Sequence, residues 1–281
     1  MDNNSYKILH AVKDHTVSMQ TFGLHKDETL DMLVTFPKPK IENLGSFYES
    51  ENYISHTDAT FSLFDKVYQN VKLFALKNKV KLLSEHHQNK GKLLDIGCGT
   101  GDFLVTAQKN NWEVVGVETN FKAKQLAENK GITVFLDSQN FESNSFDAIS
   151  MWHVLEHVYE IDAQIKELKR LLKPNGTIYI AVPNYKSFDA RYYGMHWAGF
   201  DVPRHLSHFS KNSIQIFFRR QQMKLIKTLP MWFDSFYVSL LSEKYKTGSI
   251  NINGLWIGLK SNLKARKTGE FSSLIYVIKN I

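Results

Sequence analysis

The chain reads as an α/β protein: a Rossmann-like sheet of seven strands, mostly parallel, with helices on both faces, plus an N-terminal extension and a late insertion. Three observations predict this. Lys92-Leu-Leu-Asp-Ile-Gly-Cys-Gly-Thr-Gly-Asp-Phe-Leu104 has the pattern of a short buried strand, a three-glycine turn and the start of a helix. Val114-Val-Gly-Val-Glu118 then ends a second strand on an acid. Downstream, apolar runs of strand length alternate with helix-period stretches, the signature of a parallel sheet built from right-handed crossovers.

In order, residues 1–57 form the extension and 58–281 the main domain. The first forty or so residues are mixed and polar, and Pro37 and Pro39 disfavour helix at their end. Phe61, Phe64, Val67, Tyr68, Val71, Phe74, Ala75 and Leu82 fall at helical spacing over 58–88. They predict one amphipathic helix, or two, with the aromatic stripe packed on the domain. Strands are expected at 92–96, 113–118, 132–137, 146–151 and 176–182, with helices near 101–110, 121–130 and 160–172. Pro174-Asn-Gly176 supplies a tight turn into the fifth strand. An insertion at about 185–210 leads to a helix at 211–222 and a strand at 224–230, and a second insertion at 231–270 precedes the last apolar run at 274–278.

The glycine turn marks a ligand site at the carboxyl edge of the sheet, where open α/β folds bind. Its spacing, Gly-x-Gly-x-Gly at 97, 99 and 101, departs from the Gly-x-Gly-x-x-Gly of dinucleotide sites, and no Lys-Ser or Lys-Thr follows it. Asp95 before the turn and Asp102 after it would repel a pyrophosphate but suit ammonium and sulfonium charges. S-adenosylmethionine carries both. Glu118 can accept its two ribose hydroxyls.

Asp95-Ile-Gly-Cys-Gly-Thr-Gly101 resembles the first motif of the class I S-adenosylmethionine-dependent methyltransferases. Phe146-Asp-Ala-Ile-Ser-Met-Trp-His-Val-Leu-Glu-His-Val158 resembles their fourth strand and its exit, and Leu171-Leu-Lys-Pro-Asn-Gly-Thr-Ile-Tyr-Ile180 the turn into their fifth. The similarity spans about residues 90–230 and points to the small-molecule branch that includes ubiquinone-biosynthesis O-methyltransferases. It implies S-adenosylmethionine as cofactor, bound by Asp95, Gly97, Cys98, Gly99, Gly101, Glu118, Thr119, Asp137, Ser138, Trp152 and His153, with Cys98 present for packing rather than chemistry. It also implies that the 274–278 strand runs antiparallel between its neighbours. Phe36-Pro-Lys-Pro, Phe47-Tyr-Glu-Ser and Tyr53-Ile-Ser-His56 resemble segments preceding the catalytic domain in related bacterial enzymes, some of which begin with a cysteine-rich zinc knob. With no cysteine before 98, the extension is expected to be a metal-free remnant serving as a lid or packing surface.

Methyl transfer to a hydroxyl requires loss of its proton at or near the transition state, work that histidine does near neutral pH. Two segments offer it. In Trp152-His-Val-Leu-Glu-His157 the two histidines share one face if the stretch turns helically, a spacing that would also suit a metal with Glu156 or Glu160 as oxygen ligands; no metal is assigned. The plainer reading of this segment is packing or cofactor contact. In Phe200-Asp-Val-Pro-Arg-His-Leu-Ser-His-Phe209, four polar side chains crowd into eight residues beside the aromatics of 192–197. His157, His205 and His208 are the candidate bases, and Arg204 could grip a substrate carboxylate or phosphate by a forked hydrogen bond. The alternative is a structural turn into the 211–222 helix with Ser210 as N-cap.

Composition is that of a globular chain: 281 residues, 43% hydrophobic, 22% charged, net charge +7. No run nears the roughly 18 apolar residues needed to span a bilayer, and the start lacks the pattern of a secretion signal. The single cysteine excludes an internal disulfide and fits a reducing cytoplasm. From residue 211 onward twelve Lys and Arg face three Asp and Glu. That basic region suits an anionic substrate, a membrane surface or plain solubility; no recognised module accompanies it, so nucleic acid is not expected. The expectation is a cytoplasmic methyltransferase acting on a small anionic or aromatic acceptor at oxygen, its oligomeric state open. The alternative is a binding or scaffold protein that keeps the cofactor fold without turnover, since the front end is altered and no single base stands out.

Overall fold

The computed structural model describes residues 8–48 and 63–281. The chain opens on an antiparallel meander, β1 (Ile8–Lys13), β2 (Thr21–Asp27) and β3 (Met32–Phe36), followed by one helical turn, α1 (Ile41–Leu44). Asp14 shapes the first hairpin: its carboxylate accepts the backbone N–H of Thr16 at 3.0 Å and of Ser18 at 2.7 Å, along with both hydroxyls. Sequence reading placed no strands here. The apolar alternation is short, Phe22 and Leu24 being its clearest pair, and the strands depend on lateral pairing.

Helix α2 (Leu63–His86) is a single element of 24 residues. It buries Val80, Leu82 and Leu83 against the sheet. Phe74, expected on the packed stripe, is exposed, and meets Phe233 edge-on at 5.8 Å. Phe61, the 53–56 segment and the boundary at residue 57 lie outside the described residues, as do the side chains of Phe64, Val67 and Tyr68.

The main sheet follows: β4 (Lys92–Ile96), α3 (Asp102–Gln108), β5 (Glu113–Val117), α4 (Phe121–Asn129), β6 (Val134–Phe135), β7 (Phe146–Trp152), α5 (Ile161–Leu171) and β8 (Leu172–Pro183). Next come α6 (Phe188–Tyr193), the two-residue β9 (Ser207–His208), α7 (Lys211–Arg220), β10 (Met223–Pro230), α8 (Asp234–Thr247), α9 (Asn253–Thr268) and β11 (Ser273–Asn280). Seven strands lie in the order β10-β11-β8-β7-β4-β5-β6, with β11 antiparallel to both neighbours and the rest parallel. The predicted fold class is therefore the observed one. Because β4 pairs with β5 on one side and β7 on the other, the chain reverses direction across the sheet at β4, and its carboxyl edge opens into a crevice.

Three local features differ from expectation. The third predicted strand shrinks to β6, two residues at the sheet edge. The Pro174-Asn-Gly176 turn is absorbed into β8: Phe146 pairs with Leu172 and Ala148 with Thr177, so the extra residues bulge out of the ladder. Both insertions are structured. The 231–270 segment is the helical hairpin α8–α9, and the 185–210 segment contributes β9, which pairs with β3 and joins the N-terminal meander in a four-stranded sheet. Val12, Phe22, Leu24 and Leu33 of that sheet share a core with Tyr193, Trp197, Phe200 and Ile257. Among the described residues no helix is long and apolar enough to cross a membrane.

Candidate active site

The glycine turn begins where β4 ends. Gly97 and Cys98 donate their N–H groups to the Val117 carbonyl at 2.8 and 3.0 Å, pinning the turn to β5. Gly97, Gly99 and Gly101 all take the left-handed backbone, with φ of 70°, 54° and 79°. Their surroundings differ. A Cβ on Gly97 would lie 2.4 Å from Val154 and one on Gly101 2.9 Å from Ala127, whereas one on Gly99 would meet nothing within 4 Å. Gly97 and Gly101 thus permit close packing, and Gly99 leaves room for a ligand. Cys98 is buried, its sulfur against the Gly116 backbone, and burial pushes its thiol up, away from the reactive form.

Glu118 caps β5 with its carboxylate already oriented: one oxygen accepts the Gly99 N–H at 2.9 Å and the other the Asn120 N–H at 2.8 Å. Each oxygen keeps a second lone pair. Thr119 beside it is exposed. Asp95 is buried beneath the turn and accepts the Ser150 hydroxyl at 2.6 Å; burial pushes its carboxyl up. Asp102, expected to add negative charge at the ligand, is ion-paired at 2.6 Å to both Lys72 and Lys130. The acids left to the crevice are therefore Glu118 and, beneath the turn and held toward its neutral form by burial, Asp95. Asp137 is exposed and accepts the Gln139 N–H at 3.0 Å, while the Ser138 hydroxyl donates to Glu167 at 2.9 Å, so this pair forms a turn braced from α5.

The exit of β7 holds the next group. Trp152 stands edge-on to Phe103 at 5.3 Å, with the Lys79 ammonium 4.4 Å from its ring centre and its indole N–H buried without a partner among the described residues. His153 takes a φ of 58° and is clamped by carboxylates, Nε2 3.0 Å from Asp234 and Nδ1 3.3 Å from Glu156. Burial would lower its pKa, but the bond to Asp234 and the charge of Glu156 outweigh that and raise it to about 9. It is an imidazolium at neutral pH. Glu156 is 1% exposed, and neither of its oxygens receives a hydrogen bond of good geometry, so the contact with His153 is an ion pair.

His157 is set differently. Its Nδ1 lies 3.0 Å from the Arg204 carbonyl and 3.0 Å from the Tyr48 hydroxyl, and its ring stands edge-on to His205 at 4.7 Å. A carbonyl only accepts, so Nδ1 carries the proton and Nε2 a lone pair. Burial, then the neighbouring His205, depress the pKa to about 4. His205 directs Nδ1 to the Gly199 carbonyl at 2.9 Å, while its Nε2 lies 4.0 Å from the Asp201 carboxylate. Glu156, His157 and His205 each bring one ligand-capable atom within 4.8 Å of the others, a set of two nitrogens and a carboxylate that could hold a divalent cation.

His208 and Arg204 face inward. His208 lies buried in β9, its Nε2 3.0 Å from the Thr35 hydroxyl, which itself donates to the His205 carbonyl at 2.6 Å; burial holds the ring neutral. Arg204 is 0% exposed. Its guanidinium bonds Asp201, Asp14 at 3.1 Å, the Phe47 carbonyl at 3.2 Å and the Thr16 hydroxyl, tying the N-terminal meander to the 200–208 loop. Sequence reasoning missed Tyr48, Lys79 and Asp234. Each sits far in sequence from the motif it contacts, and none carries a spacing signal of its own.

A family model described as a methyltransferase domain matches residues 70–228, more than half of the chain. The chain belongs to the methyltransferase domain family. The ubiquinone biosynthesis O-methyltransferase of Pelagibacter ubique is 36% identical to this methyltransferase over 101 residues, covering 33% of this chain and 42% of that protein. A solved S-adenosylmethionine-dependent methyltransferase of Thermotoga maritima, described as a possible histamine N-methyltransferase, has a TM-score of 0.53 at 19% identity, covering 78% of this chain and 97% of that one. The geranyl diphosphate C-methyltransferase of Streptomyces coelicolor A3(2), solved with Mg2+, geranyl diphosphate and S-adenosyl-L-homocysteine, has a TM-score of 0.51 at 15% identity, covering 73% and 77%. The two structures share the fold. The methyltransferase spans less than two thirds of the length of the curated relatives it matches. The motif resemblance holds: this is a class I S-adenosylmethionine-dependent methyltransferase, and S-adenosylmethionine is the cofactor of that class. The crevice suits it, with two acids, open space over Gly99 and an orphaned indole N–H at its wall.

Proposed function

We propose that the methyltransferase moves a methyl group from S-adenosylmethionine to an oxygen of a small molecule, with His157 accepting the hydroxyl proton. One observation carries this: His157 is neutral, with Nδ1 tied to the Arg204 carbonyl and Nε2 left as a base. When bound, the cofactor supplies an electron-poor methyl carbon open to in-line attack. The residues of the chain do the rest. Glu118 holds the ribose hydroxyls through the lone pairs its backbone contacts leave available. Asp95 faces the ammonium group, and Lys79, poised over Trp152, meets the carboxylate. His153 is already protonated and fixes the strand exit instead of acting as a base. His205 stands beside His157 as a second proton acceptor. Thr119, Asp137 and Ser138 border the adenosine end, and Arg204 and His208 keep the histidine loop in place.

An oxygen acceptor is supported by a neutral imidazole base, which a free amine would not need, and by the O-methyltransferase relative. The aromatic edges of Tyr48, His157 and His205 favour a planar acceptor. The lone buried thiol suits a reducing, cytoplasmic setting. The test is turnover with cofactor labelled at the methyl group and a panel of phenols, enols, amines and carbon acids. Label should appear on a hydroxyl, and His157→Ala should lower kcat by about 10²–10⁴-fold with cofactor affinity retained. Turnover unchanged in His157→Ala removes the base assignment, and label found on nitrogen or carbon removes the oxygen assignment.

A further inference from the structure

Apart from Ile257, which joins the core, helix α9 points its large apolar side chains away from the molecule. Where it meets α8 its residues are small: a Cβ on Gly254 would lie 2.9 Å from the Leu240 backbone and one on Gly258 2.8 Å from the Ser235 carbonyl. Ser261 and Ala265 continue that face, and α8 answers with buried Ser235, Ser239 and Ser242. The two helices therefore pack nearly backbone to backbone, with little use for bulky side chains between them. The bulk is outside. Ile252 is 72% exposed, Trp256 64% and Leu263 50%, and Leu255 and Leu259 are exposed beside them. At about 100° per residue these five fall on one arc of the helix.

The charge around that arc has a single sign. Residues 253–268 contain Lys260, Lys264, Arg266 and Lys267 and no acid. All four cations are exposed, and among the described residues none is ion-paired. Those that touch protein touch aromatic rings: Lys264 lies 3.9 Å from the Phe188 ring centre and Arg266 5.6 Å from that of Trp232. By the same spacing Lys267, Lys260 and Lys264 line one edge of the apolar arc and Arg266 falls within it, which places cations beside the apolar side chains as in a helix lying in a lipid–water interface. A second copy of the chain is a poor occupant, because face-to-face pairing sets four cations against four with no acid between them. An anionic bilayer surface matches both the apolar arc and the charge. Sixteen residues that are too polar to cross a membrane can still lie on one.

We infer that the exposed face of α9 is a docking surface for an anionic lipid bilayer, on which the helix rests with Trp256, Leu259 and Leu263 inserted and its lysines against the headgroups. The hairpin sits between β10 and β11, and its first residue, Asp234, contacts His153, so docking holds the crevice near the membrane. The inference does not depend on which atom is methylated.

Flotation with vesicles of equal parts phosphatidylglycerol and phosphatidylcholine, against pure phosphatidylcholine, tests it. The full chain should float with the anionic vesicles, remain below with the neutral ones, and be released by high salt. Lys260→Glu with Lys264→Glu should lower partitioning by about 30-fold or more. Trp256→Ser with Leu259→Ser and Leu263→Ser should abolish flotation while the helical circular-dichroism signal and S-adenosylhomocysteine binding persist, since the replaced side chains lie outside the core. Failure of the unaltered chain to float with anionic vesicles overturns the inference. So does a dimer in sedimentation that Leu259→Glu dissolves, because the occupant of the face would then be a second copy.

Discussion

His153 and His157, four residues apart, hold different charge states, and the difference lies in what faces each ring. Two carboxylates raise His153 to about 9, while burial and a neighbouring imidazole take His157 down to about 4. Since the folded value of His153 lies above the ordinary 6.5, its stabilisation is fully present below pH 6.5 and is lost as pH rises through about 9. Asp234→Asn should therefore bring the His153 titration, read by NMR, back toward 6.5 and cost of order 1–2 kcal/mol at pH 7, discounted for partial solvent access. An unmoved titration would mean that Glu156 alone sets it. His157 leaves an activity signature: kcat/KM should rise with pH through about 4 and be flat from pH 6 to 8, so an acid limb centred near 6.5 would point to an unperturbed histidine instead. Glu118→Gln keeps the shape but weakens an acceptor that already holds two backbone N–H groups, and should reduce S-adenosylhomocysteine affinity by about 1–3 kcal/mol in calorimetry.

Among elements, the most consequential joint is β3 with β9, locked by the buried Arg204–Asp14–Asp201 cluster. Arg204→Ala would leave two carboxylates facing each other without their cation, Asp14 buried among them, and should cost about 3–5 kcal/mol in urea denaturation. A loss below about 1 kcal/mol would mean the cluster is solvated and does not weld the two segments. This joint shows where sequence reading stops. Arg204 stands in a polar, histidine-bearing loop and reads naturally as a substrate fork; only the fold reveals that Asp14 and Thr16, about 190 residues upstream, occupy its donors. Strands β4, β7, β8 and β11 of the main sheet were legible because each buries an apolar run on both faces, and so was the Ser210 cap of α7, which forms a capping box with Ser213. Strands β1–β3 and β9 were not, being short and held by partners distant in sequence. Helices α8 and α9 escaped notice because their contact face is serine and glycine, which carries no apolar period.

For the whole molecule, pH and ligand should move stability in known directions. His87 and His157 both sit near 4 when folded, below the ordinary 6.5, and His208 is held low as well. Each contributes stability above pH 6.5 that disappears as pH falls toward 4. The urea midpoint should thus drop steeply between pH 6.5 and 4, and a flat profile across that window would show these rings to be solvated. S-adenosylhomocysteine at 100 times its Kd should add about 2.7 kcal/mol and raise Tm by roughly 5–10 °C; no shift at saturating ligand would deny the crevice its cofactor. The glycine turn and its acids were readable because one βαβ unit contains them, from Asp95 to Glu118. The histidine cluster proposed for proton transfer was only half readable, since Tyr48, the β7 exit and the 200–208 loop meet only in three dimensions.

The shared edge between β3 and β9 also bears on how this enzyme can be dissected. A recombinant fragment trimmed to begin at the helix before the glycine turn would retain the residues proposed to hold the cofactor, yet expose the raw flank of the loop that carries His205 and strip Arg204 of three of its anchors. Such a fragment should still capture S-adenosylhomocysteine while failing to turn over, and chimaeras that exchange acceptor loops between relatives will need to transplant the first forty-eight residues along with them.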